Sequence, residues 1–197
     1  MDYTVETLDL SGKGLTELPD LSLYTNLKGL ICNHNKITQL NNLPNTLIEL
    51  CCYNNQLTEL ENMPINLKIL KCGKNKLTHL DNLPNTLETL YCSSNLLSLL
   101  DNLPYGLIEL SCRDNKLTHL DKLPNTLIEL NCSYNQLTQL DNLPIGLKKL
   151  HCSYNQLTSL DNIPDTLTDL YCSYNKLTHL DNLPKNIINY GYGGNLF

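Results

Sequence analysis

Leu127-Ile-Glu-Leu130-Asn-Cys132-Ser-Tyr-Asn135-Gln-Leu137-Thr-Gln-Leu140-Asp-Asn-Leu143-Pro144-Ile-Gly146 decides the fold, because nearly the same twenty residues stand before and after it. With Leu127 as position 1, that position recurs at Leu27, Leu47, Leu67, Leu87, Leu107, Leu147 and Leu167. Eight units of 20 residues therefore fill 27–186 with no insertion or deletion. The shared pattern is L-x-x-L-x-C-x-x-N-x-L-T-x-L-D-N-L-P-x-x. Working outward, 5–26 is a divergent 22-residue unit, with Val5, Leu8, Leu10, Leu15 and Leu18 at its apolar positions and Lys13 in place of the Asn. At the other end 187–197 is a half unit, with Ile187, Tyr190, Tyr192, Asn195 and Phe197 at positions 1, 4, 6, 9 and 11. A fixed short period over the whole length is the signature of a stacked repeat array, so 1–197 reads as one repeat domain.

Composition agrees. The chain of 197 residues is 41% hydrophobic, yet it has no Trp and one Phe, and Leu dominates. Globular cores interlock many side-chain shapes. One side chain repeated implies one local environment copied many times. The net charge of −6 argues against a nucleic-acid partner, whose binders carry basic stripes. No apolar run is long enough to span a membrane. The first residues, Met1-Asp2-Tyr3-Thr4-Val5-Glu6, lack the features of a signal peptide. The expectation is a cytoplasmic protein without membrane contact.

The period also predicts shape. Positions 3 to 7 should form a short parallel strand, with positions 4 and 6 inward and 3, 5 and 7 outward. The second half of each unit is too short and too proline-rich for a helix. Extended or 3-10 segments are expected there, with Leu at 11, 14 and 17 turned inward. Asp-Asn pairs at positions 15 and 16, such as Asp81-Asn82, Asp141-Asn142 and Asp181-Asn182, should make turns rather than calcium sites.

L-x-x-L-x-C-x-x-N-x-L, as in Leu127, Leu130, Cys132, Asn135 and Leu137, resembles the leucine-rich-repeat consensus with Cys where Leu is commoner. The 20-residue length with Leu-Pro resembles the short bacterial LPX class. The Asn-, Tyr- and Cys-rich composition resembles repeat proteins of giant DNA viruses that infect amoebae. The resemblance implies the α/β class by convention. It implies a right-handed solenoid with a curved parallel β-sheet on the concave face, an extended or 3-10 convex side and little or no α-helix.

Several columns look chemical and read better as structure. Asn35, Asn55, Asn75, Asn95, Asn115, Asn135, Asn155, Asn175 and Asn195 are too many for an active site. A buried amide with two donors and two acceptors suits backbone groups left unpaired where strand turns into loop. Cys32, Cys52, Cys72, Cys92, Cys112, Cys132, Cys152 and Cys172 lack the close pairs of a metal site. They read as reduced thiols filling the core, with Cys51 facing outward as the most reactive. The five His do not cluster. No cofactor, metal or catalytic group is expected.

Variation concentrates on outward positions. Position 5 runs Asp9, Ile31, Cys51, Lys71, Tyr91, Ser111, Asn131, His151, Tyr171, Gly191. Position 3 varies as well, and positions 7 and 8 add Arg113, Tyr134, Tyr154 and Tyr174. Tyr134, Tyr154 and Tyr174 should form a stripe, joined by Tyr171 and Tyr91, that either binds or simply stacks. The function expected is a non-enzymatic scaffold holding another protein on its concave face, through Tyr91, Arg113, Tyr134, His151, Tyr154, Tyr171 and Tyr174. The alternatives are a self-assembling structural protein, including a homodimer through an uncapped end, and a recognition module for a ubiquitin ligase on another chain.

Overall fold

The computed structural model describes residues 3–180 and 183–197. The Asp181-Asn182 turn expected from the sequence lies outside the described residues, as do Met1 and Asp2. Ten strands, β1 (Thr7–Asp9), β2 (Gly29–Ile31), β3 (Glu49–Cys51), β4 (Ile69–Lys71), β5 (Thr89–Tyr91), β6 (Glu109–Ser111), β7 (Glu129–Asn131), β8 (Lys149–His151), β9 (Asp169–Tyr171) and β10 (Asn189–Gly191), form one sheet. They lie in chain order and each is parallel to the next. Register is strict: Leu110 lies opposite Leu130 and Leu130 opposite Leu150. No helix occurs among the described residues.

Each strand covers positions 3 to 5, shorter than the expected 3 to 7. The ladder does not stop there. The Cys112 N–H donates to the Asn131 carbonyl at 2.9 Å, and the Asp114 N–H to the Ser133 carbonyl at 2.9 Å. The chain turns because position 8 is left-handed in all ten units, from Gly12 (φ 65°) through Asp114 (φ 57°) and Tyr154 (φ 57°) to Gly194 (φ 74°). That conformation ends the extended run while its N–H still reaches the neighbouring unit.

The convex half closes with a turn on its proline. The Leu127 N–H donates to the Pro124 carbonyl at 3.1 Å, and the Leu147 N–H to the Pro144 carbonyl at 2.9 Å. Proline enters as an acceptor, so its missing N–H costs nothing. Asn42, Asn62, Asn82 and Asn142 at position 16 are also left-handed, a conformation Asn tolerates in turns.

Positions 1, 4, 6 and 11 make the core: Leu127, Leu130, Cys132 and Leu137 are all buried. Position 14 is buried in nearly every unit, as at Leu140, whereas position 17 is mostly half-buried, as at Leu143 and Ile163. The asparagine column stitches units together. Asn115 Oδ1 accepts the Leu97 N–H at 3.0 Å, and its Nδ2 donates to the carbonyls of Cys92 (3.1 Å) and Cys112 (3.0 Å). The same three bonds recur at Asn135, Asn155 and Asn175. Among the described residues no buried side-chain polar atom lacks a partner. This accounting is what a coil with inward-facing backbone groups requires.

Candidate interaction surface

The outward side chains of the sheet are placed by strand alternation. Position 3 makes one row and position 5 the next, with positions 7 and 8 along the strand ends. On the position 8 row the rings of Tyr134, Tyr154 and Tyr174 stack, with centroids 4.2 and 4.4 Å apart and planes within 14° and 16°. Arg113 caps the stack, its guanidinium carbon 4.5 Å from the Tyr134 centroid. At the far end Tyr174 lies across Gly194, where an added Cβ would meet the ring at 2.7 Å. All three tyrosines have positive φ, which is uncommon for a bulky residue. Their N–H groups bond to the next unit, Tyr154 to the Ser173 carbonyl at 2.9 Å, and this holds the conformation.

Tyr171 and Tyr91 do not extend this stripe as expected. Tyr171 packs edge-on against His151 at 4.7 Å, on the position 5 row. Tyr91 stands on β5 and donates its hydroxyl to Glu109 Oε2 at 2.6 Å. That carboxylate, with burial, pushes the Tyr91 phenol up to about 12. The reason is alternation: positions 5 and 8 belong to different rows. These outward residues therefore divide into a ladder (Arg113, Tyr134, Tyr154, Tyr174) and a position 5 row (Tyr91, His151, Tyr171), of which Tyr91 and His151 line a groove on the sheet.

The groove carries charged groups that the sequence reading placed outward without singling out. Lys149 bonds Glu129 at 2.6 Å and Lys71 bonds Glu49 at 2.8 Å. Glu129 faces Glu109 directly across β6 and β7. Burial lowers the His151 pKa, against the opposing pull of Asp169 and Glu129. The hydroxyl of Thr168 and the amide of Asn189 hold Asp169 below its ordinary value.

Cys51 departs from expectation. It sits on the outward row but is only 6% exposed, and its thiol donates to Glu49 Oε1 at 3.3 Å. Burial is the largest cause pushing it up to about 11. It is therefore a protonated and largely covered thiol, although it remains the most exposed of the nine cysteines. Among the inward thiols, burial pushes Cys172 up to about 11, Cys32, Cys72 and Cys112 up to about 12, and Cys52, Cys92, Cys132 and Cys152 well above the ordinary value. All nine cysteines are free. Among the described residues no group of His, Cys, Asp and Glu is arranged to hold a metal ion.

A scan against protein-family models finds no match, and a search of curated proteins finds none either. Solved structures do match. YopM from Yersinia enterocolitica superposes with a TM-score of 0.86 at 32% identity, over 100% of this chain and 48% of that one. The functional domain of InlJ from Listeria monocytogenes, described as including a cysteine ladder, superposes at 0.88 with 37% identity, over 96% of this chain and 44% of that one. A Shigella effector LRR domain superposes at 0.60 with 26% identity, over 88% and 71%. This chain folds as a leucine-rich-repeat solenoid. It spans about half the length of the first two structures. The leucine-rich-repeat fold explains why nine asparagines and eight inward cysteines are scaffold, and it leaves the outward rows as the place to look for function. Among the described residues no helix is long and apolar enough to cross a membrane.

Proposed function

We propose that this leucine-rich-repeat chain is a non-enzymatic scaffold that binds another protein on its concave sheet face, with Tyr91, Arg113, Tyr134, His151, Tyr154, Tyr171 and Tyr174 as contacts. One observation carries the reading: inward columns repeat from unit to unit, while outward columns of the same strands differ and present exposed aromatic rings. Tyr and Arg dominate binding hot spots because they offer area with few rotatable bonds and a polar tip. Effector and functional-domain neighbours support an interaction role. A column of thiols buried in one register suits a reducing compartment, so we place the protein in cytoplasm, its own or a host's.

The test is affinity capture from a eukaryotic cytoplasmic extract. The wild type is compared with Tyr154→Ala plus Tyr174→Ala, and with His119→Ala plus Gln139→Ala on the convex side. The concave pair should lose the captured protein and the convex pair keep it. Recovery of the same proteins by all three would sink the assignment.

A further inference from the structure

We infer, resting on the concave-face reading above, that the groove over β3 to β8 is shaped for one extended peptide segment carrying an apolar side chain and, four residues away, a basic one. Two adjoining cavities divided by Tyr91 support this.

The first cavity, about 450 Å³, lies between Tyr53 and Tyr91 over Gly73. Gly73 opens it. Every other full unit has Ser, Asn, Tyr or Arg at this position. A Cβ on Gly73 would meet the Ser93 carbonyl at 2.9 Å and the Tyr53 ring at 3.2 Å. Lys71 also lines this cavity, but its ammonium is held by Glu49 at 2.8 Å. Two aromatic walls, a protonated Cys51 and the uncharged side chains of Asn33, Ser93 and Ser111 remain, a lining without free charge that suits an uncharged, mainly apolar group.

The second cavity, about 260 Å³, lies between Tyr91 and His151 over Ser111 and Asn131. Glu109 and Glu129 stand opposite each other at its rim. Like charges in register repel. Lys149 engages Glu129, while Glu109 receives a phenol hydroxyl but no cation. With His151 uncharged, the cavity holds one negative charge more than it holds positive. A guanidinium or ammonium entering here meets two carboxylates and aromatic faces, a setting that favours cations.

Spacing ties the two together. The cavities centre on β4 and on the β6–β7 pair, two and a half strand spacings apart, or about 12 Å. An extended chain advances about 3.3 Å per residue, so residues four apart lie on one side at about 13 Å. A helix covers only about 6 Å in four residues and does not fit both cavities.

The probe is a displayed library of random dodecamer peptides selected against the full chain. Winners should carry an apolar residue and, four positions away, Arg or Lys. Their binding should fall about tenfold or more with Glu109→Gln plus Glu129→Gln, which preserves shape and removes charge. It should fall similarly with Tyr53→Ala and weaken with salt, while circular dichroism shows both variants folded. Winners lacking the spaced basic residue, winners indifferent to both variants, or no winners at all would overturn the inference. If winners lose binding with Tyr154→Ala plus Tyr174→Ala yet lack the motif, this inference fails and the concave-face reading stands. If they bind regardless of any outward substitution, both fail.

Discussion

Along β7, Glu129, Leu130 and Asn131 are neighbours in sequence and face opposite sides of the sheet. Leu130 repeats as Leu at that position in every full unit and is buried at 1% exposure. Position 5, beside it, holds nine residue types in ten units. The inward columns must satisfy stacking, so only side chains that interlock with copies of themselves persist. The outward columns meet no such test except at position 8, where the backbone is left-handed. The contrast teaches that stability and recognition are written in alternate residues of one strand, and it can be broken by experiment column by column.

The largest expected effect comes from the inward thiols acting together. Burial keeps them protonated well above the ordinary thiol value of 9.0. Unfolding returns each to that ordinary value, so above it the unfolded chain binds fewer protons and stability falls as pH rises. One pH unit above it, each thiol contributes roughly 1 kcal/mol of loss, and the column together on the order of 10 kcal/mol. That rivals the whole stability of a domain, about 5–15 kcal/mol. Below the ordinary thiol value the effect is absent. Circular dichroism followed with thiolate absorbance should show cooperative unfolding as thiolate appears, between about pH 9 and 11. A native spectrum at about pH 11, with thiols still silent, would contradict the linkage.

Next in size is a single inward substitution. Leu110→Ala in the middle of the stack removes a buried side chain whose surroundings cannot collapse, and should cost about 2–5 kcal/mol in denaturant titration. Changing its outward neighbour Ser111 to Ala should move the same midpoint by less than about 0.5 kcal/mol. Equal effects at the two positions would erase the contrast. Asn115→Leu follows, at about 1–3 kcal/mol. It keeps volume but leaves the Leu97 N–H and the Cys92 and Cys112 carbonyls unpaired. Superposable melts of variant and wild type would show that the amide does not carry those bonds.

Much of this architecture was legible in the sequence, for reasons particular columns make plain. A period of twenty with Leu at 1, 4 and 11 admits one kind of stacking, and Pro at 18 excludes a convex helix. The asparagines announced their role by repetition alone. Strand length was misjudged because hydrophobic alternation continues past position 5 while the backbone turns at position 8. A signal was available: the two end units place Gly12 and Gly194 there, and Asn54 and Asp114 are residues that tolerate the left-handed region. Cys51 keeps its outward position and its rank as the most exposed thiol, but it is more covered than that position suggests, its thiol bonded to the Glu49 carboxylate. Tyr171 was grouped with the ladder on residue type, although rows five and eight are distinct. The two cavities were not legible at all. They depend on what one glycine leaves empty between two rings, and a pattern of twenty letters does not record an empty space.

The smallest expected effect tests position 8, where the contrast between columns is incomplete. Lys74 has φ 49° and stands outward, so by the contrast alone it should be freely replaceable. An L-residue there carries a backbone cost of about 1 kcal/mol that glycine avoids. Its ammonium lies 5.4 Å from the Tyr53 ring centroid, a contact worth about 0.5 kcal/mol at an exposed site. Glycine also gives the unfolded chain more freedom, which offsets part of the gain. Lys74→Gly should therefore shift stability by less than about 1 kcal/mol, with a stabilising sign. Lys71→Gly, three residues earlier in extended β4, should be destabilising, because there glycine relieves no strain and loses the Glu49 pair. If both substitutions destabilise equally, position 8 is not held in strain. The variety of its ten occupants, from Gly12 to Tyr174, then reflects recognition alone.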